Sequence, residues 1–168
     1  MKPTDIKRGD VCGTRNPMAL GRGINAVQWL WSRDNESKYS HSLMFLDSER
    51  TFEALWTNKS QDFLQTYRGK RVIIARPLVS DKAKDRALKQ LTKRHSGQRY
   101  PFWRIPMHIF PPLAKICAFE RLVCSELTAK YLWLAGARHE QYAGTNCDTL
   151  ADEWRCWGNF EIIYEGML

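Results

Sequence analysis

A histidine and a cysteine each open a short segment, and the two segments lie far apart in the chain. Tyr39-Ser40-His41-Ser42-Leu43-Met44-Phe45 puts His41 at the head of an apolar run. Val123-Cys124-Ser125-Glu126-Leu127 puts Cys124 at the head of an amphipathic one. A thiol becomes a strong nucleophile when an imidazole lies beside it and a third group orients that imidazole. Glu53 is the third group on offer, so the order along the chain is His, Glu, Cys. Such a set supports attack on an amide or ester carbonyl through a covalent acyl-enzyme.

These residues need particular elements to bring them together. The segment around 122–135 reads as a helix with Cys124 near its start, where backbone N–H groups and the helix dipole stabilise a thiolate. The same N–H groups would serve a developing oxyanion. Phe119-Glu120-Arg121 could instead extend the helix upstream and leave Cys124 in mid-helix. Residues 40–46 and 51–56 flank the polar break Asp47-Ser48-Glu49-Arg50 and read as a β-hairpin. Leu43 and Phe45 share the face of His41, while Met44 and Leu46 lie on the other, so this strand should be central and buried on both sides. Glu53 sits between Phe52 and Ala54, and a carboxylate buried there needs a partner such as the histidine. A tight hairpin would set Glu53 closer to Met44 than to His41. Contact then requires a long side-chain reach or a shifted register. Each residue also has a plainer reading: packing for the cysteine, a structural hydrogen bond for the histidine, an exposed cross-strand site for the glutamate.

The remaining chain predicts an α+β fold, a small antiparallel sheet with helices packed on it, in a single domain over residues 1–168. Residues 7–13 read as a turn into a short strand, 23–33 as a helix and 34–37 as a loop. Residues 70–76 form a β-branched strand closed by Pro77. Ser80 caps a helix to about Ser96, with Ala83, Ala87, Leu88 and Leu91 inward, and Gly97 stops it. Residues 98–117 are too rich in proline for a continuous helix and read as a wandering apolar wall. A short helix over 148–156, capped by Asp148, and a strand over 160–164 end the chain.

The 168 residues carry a net charge of +8, concentrated in Arg68–Arg71 and Lys82–Arg94. The charge favours anionic partners, nucleic acid or an anionic polymer or membrane surface, but a solvated helix face explains it more simply. No nucleic-acid-binding motif accompanies it. No apolar run approaches the ~20 residues of a membrane span, and the N-terminus has no secretory h-region, so a cytoplasmic location is expected. Five cysteines without a signal argue against a disulfide framework, and the lack of C-x-x-C spacing argues against structural zinc. Cys12, Cys117, Cys147 and Cys156 are read as small buried hydrophobes. No metal or cofactor is expected.

Taken in order, several motifs resemble those of the circularly permuted NlpC/P60 papain-like proteins, the YaeF/YiiX-like group. They are Gly9-Asp10-Val11, Ser40-His41-Ser42-Leu43, Phe52-Glu53-Ala54, Gly97-Gln98-Arg99-Tyr100-Pro101-Phe102, Val123-Cys124-Ser125-Glu126-Leu127 and Asp148-Thr149-Leu150. The histidine precedes the cysteine, as in the permuted group. The resemblance implies a papain-like core and a cysteine peptidase or amidase. Cys124 would be the nucleophile, His41 the general base and acid, and Glu53 the orienting residue. Tyr100, Ser40 and Ser125 lie in the matching motifs and are the candidates for substrate contact. The chain departs from the family at Ser42-Leu43, at Pro101 and through the aromatic stretch 102–113, which bears on substrate more than on fold. Cell-wall peptides and lipid-like or small amides are the substrate classes implied; a wall substrate would require phage origin or another export route. Two alternatives remain: a lecithin:retinol acyltransferase-like acyltransferase, and a scaffold that only binds a ligand or nucleic acid. Oligomeric state is not readable.

Overall fold

The computed structural model describes residues 5–15, 38–104 and 121–168. The expected helix over 23–33, the loop at 34–37, most of the proline-rich segment and Cys117 lie outside them. The elements in chain order are β1 (Val11–Thr14), β2 (His41–Phe45), β3 (Arg50–Ala54), β4 (Asn58–Asp62), α1 (Phe63–Tyr67), β5 (Arg71–Pro77), α2 (Asp81–His95), α3 (Cys124–Ala135), α4 (Cys147–Cys156) and β6 (Phe160–Met167). The fold is α+β. Among the described residues six strands form one antiparallel sheet in the order β4-β3-β2-β1-β5-β6.

Strand β2 is interior and buried along its whole length, as its apolar run requires. Alternation sends its side chains to two cores. Met44 joins Val11, Phe52, Ile73 and Ala75 under the main helices, where Leu88 of α2, Leu127 and Leu132 of α3 and Trp154 of α4 pack. Leu43 and Phe45 join Cys12, Val72 and Ile74 in a smaller core closed by Ile6, Phe63 and Tyr67. His41 has the parity of Leu43, so its ring belongs to the smaller core's side and stacks with Tyr67 at 6.2 Å.

Ser80 caps α2, its hydroxyl accepting from the Ala83 amide, and Gly97 follows the helix in the left-handed region at φ +74. Ala87, Leu88 and Leu91 face inward as expected, joined by Lys84 and His95, whereas Ala83 is half-buried. Helix α4 begins earlier than its sequence reading: Asn146, not Asp148, is the cap, accepting from the Thr149 amide at 2.7 Å. Asp148 lies instead in the first turn, where it accepts from the Lys38 amide at 3.2 Å and ties down the approach to β2. Strand β4 and helix α1 were not expected. Strand β6 runs three residues beyond its predicted end at Tyr164, to Met167.

Gly9 and Asp10 have structural explanations. Gly9 has φ +90, and a Cβ there would meet Tyr131 Oη at 2.8 Å. Asp10 is buried and receives two hydrogen bonds from Arg76, at 3.0 and 2.8 Å. Along α2 the Lys and Arg side chains other than Lys84 are exposed; Lys84 pairs with Asp81 and Lys89 with Asp85, which also receives Arg8 from ahead of β1. No helix among the described residues is long and apolar enough to cross a membrane.

Candidate active site

Helix α3 starts at Cys124 itself, so the thiol stands on the first helical residue, at the positive end of the dipole. The preceding Val123 has no side-chain oxygen to cap with. Glu126 takes over from the third helical position, accepting from the Val123 amide at 3.3 Å. The same carboxylate accepts from the Gly144 amide at 3.0 Å and from Arg104 at 2.5 Å. It therefore holds the start of α3 to the loop that leads into α4.

His41 and Glu53 are in contact. In the hairpin register Leu43 faces Glu53, so His41 is the diagonal neighbour of Glu53 on the same face. That diagonal is within a glutamate's reach, and His41 Nε2 lies 2.6 Å from Glu53 Oε2 with both side chains fully buried. Tyr67 Oη also donates to Glu53 Oε2, and Thr51 Oγ1 donates to Oε1 at 3.2 Å. Three donors thus fix the carboxylate. Burial pushes Glu53 up, but hydrogen bonds from His41, Tyr67 and Thr51 and the charge on His41 outweigh it and hold the carboxyl below its usual value.

His41 Nδ1 is buried and has no hydrogen-bond partner of regular geometry. With Nε2 committed to Glu53, Nδ1 is the nitrogen left for the sulfur. Burial alone would push the imidazole down; the Cys124 thiolate and Glu53 overcome it and raise the ring from 6.5 to about 10. Cys124 moves the opposite way. A hydrogen bond with Cys147 pulls its thiol well below the ordinary value, burial opposes, and His41 and the Ser42 amide add to the lowering. The two shifts run in opposite directions, and each favours the charged form of its group, thiolate on Cys124 and imidazolium on His41. Tyr100 lies on Cys124 as well. Burial, then the charge on Cys124, keeps its phenol firmly protonated and able to donate.

Of the other residues singled out, Ser40 is buried just ahead of β2 and its amide donates to Thr14 O at 3.0 Å. The Ser125 hydroxyl hydrogen-bonds Cys147. Cys12 is buried, as a packing thiol should be, but Cys156 is exposed at the end of α4, where no core reaches it. Cys147 is buried yet is more than packing. Its Sγ lies 3.8 Å from Cys124 Sγ. Tyr67, Thr51 and Arg104 also escaped the sequence reading; Tyr67 and Arg104 act through contacts distant along the chain, and Thr51 reaches Glu53 two residues along the same strand face. Among the described residues no cluster of three or more His, Cys, Asp or Glu has the geometry to hold a metal ion.

Glu53→Gln tests the carboxylate. A lowered folded value means that the stability Glu53 contributes is present above its unfolded value near 4.5 and is lost as pH falls through the folded one. The native protein is expected to lose melting temperature on acidification below that point. The variant should start less stable at neutral pH, by up to the ~3–5 kcal/mol of a broken buried pair, and lack that acid limb. Parallel melting curves from pH 7 to 3 in the two proteins would show that Glu53 carries no such charge. No protein-family model matches this chain, and no curated protein matches it.

Proposed function

We propose that the protein is a cysteine hydrolase of amides or esters, built on a circularly permuted, papain-like NlpC/P60 scaffold. The observation that carries the reading is the buried His41–Glu53 contact of 2.6 Å, aligned with a thiol on the first residue of a helix. Its motif resemblance adds the papain-like scaffold and the permuted order.

In the first step Cys124 Sγ attacks the carbonyl carbon and a C–S bond forms. The amide of Cys124 and the hydroxyl of Tyr100 receive the oxyanion. His41 gives its Nδ1 proton to the leaving nitrogen or oxygen as that bond breaks. Water then attacks the thioester, losing a proton to Nδ1, and the acid leaves as the thiolate returns. Glu53 stays ionised and keeps the ring oriented and charged. Tyr100, Phe102 and Trp56 form an aromatic row with centroid spacings of 4.9 and 5.0 Å, and Trp56 is 67% exposed. That row leads from the sulfur to the surface and suits an apolar acyl group or side chain.

Turnover of a panel of nitrophenyl esters and peptide anilides tests the reading. Cys124→Ala should reduce kcat/KM by at least about a thousandfold while shifting Tm by only a few degrees. Because the imidazolium is the acid, the native rate should fall as pH rises past about 10, where His41 loses its proton. Turnover that survives the Cys124→Ala change would defeat the assignment.

A further inference from the structure

Cys124 and Cys147 occupy equivalent places: each is the first residue of its helix, α3 or α4, and each is buried. Their sulfurs stand 3.8 Å apart, in van der Waals contact, and Cys147 Sγ also lies 3.9 Å from Ser42 Oγ. A disulfide has its sulfurs at about 2.05 Å, so bonding requires them to approach by under ~2 Å. We propose that Cys147 is a resolving thiol, and that the site carries a reversible Cys124–Cys147 disulfide formed by peroxide.

The proposal rests on the reading of Cys124 as an activated thiolate. A low-pKa thiolate is the form that peroxides oxidise, and without a nearby thiol the oxidation runs on to sulfinic acid. The Cys124 thiolate attacks one oxygen of hydrogen peroxide; the O–O bond breaks, hydroxide leaves and Cys124 becomes a sulfenic acid. Cys147 Sγ then attacks the sulfenic sulfur. The S–S bond forms, the S–O bond breaks, and the Cys147 proton leaves with the hydroxyl as water. Two thiols are oxidised, one peroxide is reduced, and with the proton originally lost by Cys124 the products include two waters. In the resting site burial, then the Cys124 thiolate, keep Cys147 protonated. Oxidation of Cys124 removes that neighbouring charge. The Ser42 and Ser125 hydroxyls, which favour the Cys147 thiolate, remain.

Hydrogen peroxide treatment of the native chain, followed by alkylation, digestion and peptide mass mapping, tests this. The expected result is a Cys124–Cys147 crosslinked peptide pair, loss of nearly all iodoacetamide labelling at Cys124, and recovery of that labelling with dithiothreitol. In Cys147→Ala the crosslink disappears, and Cys124, its thiolate now held by His41 without the Cys147 hydrogen bond, oxidises more slowly but passes to sulfinic acid that dithiothreitol does not reverse. Sulfinic Cys124 beside reduced Cys147 in the native chain overturns the resolving role and leaves the nucleophile standing. Two thiols both inert to peroxide overturn the activated thiolate as well. The native crosslink needs no variant to fold.

Discussion

At about pH 6 Cys124 is expected to react with iodoacetamide at least tenfold faster in the native protein than in His41→Ala. An ordinary thiol with a pKa near 8.5 is roughly 0.3% ionised at that pH. A thiol held well below its ordinary value by Cys147 and His41 carries a much larger reactive fraction there. Part of that gain is lost, because a thiolate from a more acidic thiol is a poorer nucleophile, with a Brønsted slope of about 0.4–0.5. In His41→Ala the Cys147 hydrogen bond still lowers the thiol and burial still raises it, so the share of the lowering that His41 supplies is what the variant loses. The profile is more decisive than the ratio. The native rate should rise far less steeply with pH than that of the variant, which should gain close to tenfold per pH unit until its thiol titrates. Identical profiles in the two proteins would mean that His41 does not act on Cys124.

Much of this site was legible in the chain because two of its features are local. The apolar run after His41 marks a doubly buried strand, and the start of the amphipathic stretch marks the helix end on which Cys124 stands. The hairpin too was legible, but the alignment of Glu53 with His41 was not. A diagonal pair depends on register, which the turn sets and the hydrophobic pattern fixes only to within two residues. Strand β4 was missed because Asn58-Lys59-Ser60-Gln61-Asp62 is polar throughout. It is an edge strand, specified by pairing with β3 and, at Asn58, with Gln98 rather than by its own alternation. Missing β4 hid α1, and with it the Tyr67 hydroxyl on Glu53. Cys147 was read as packing because its partner lies 23 residues away on another helix. The local signal was Asn146, as good a cap residue as Asp148, which would have placed the thiol on the first residue of α4.

Buried polar groups converge where the two cysteine helices begin. Glu53 and Glu126 are both fully buried carboxylates, but their environments shift them in opposite directions. Donors pull Glu53 down, so its charge favours the fold; burial pushes Glu126 up despite Gly144, Arg104 and Val123. For a carboxyl raised in the folded state, ionisation costs stability at neutral pH. The charge on Glu126 therefore does not explain its presence by stability alone. Its contacts do: it joins the Val123 amide before α3 to the Gly144 amide before α4, and these are the segments that set Cys124 against Cys147.

That contrast predicts opposite outcomes for stability and chemistry when Glu126 and Arg104 are replaced. Glu126→Leu alone is expected to destabilise the protein by about 3–5 kcal/mol, because the fully buried Arg104 guanidinium loses its carboxylate. Adding Arg104→Met removes the guanidinium whose carboxylate partner Glu126 was. A buried ion pair exchanged for apolar side chains of similar volume is often neutral or better, so the double variant should regain most of the loss in urea unfolding. A residual deficit of about 1–3 kcal/mol is expected from the amides that lose their acceptor. The chemistry should not return with the stability. Without the bridge between the two helix starts, the Cys147 hydrogen bond that lowers the Cys124 thiol is weakened. Alkylation of Cys124 near pH 6 should then fall toward that of an ordinary thiol. A double variant that stays as unstable as Glu126→Leu would show that the ion pair itself holds the fold. One that regains both stability and reactivity would show that Glu126 positions neither thiol.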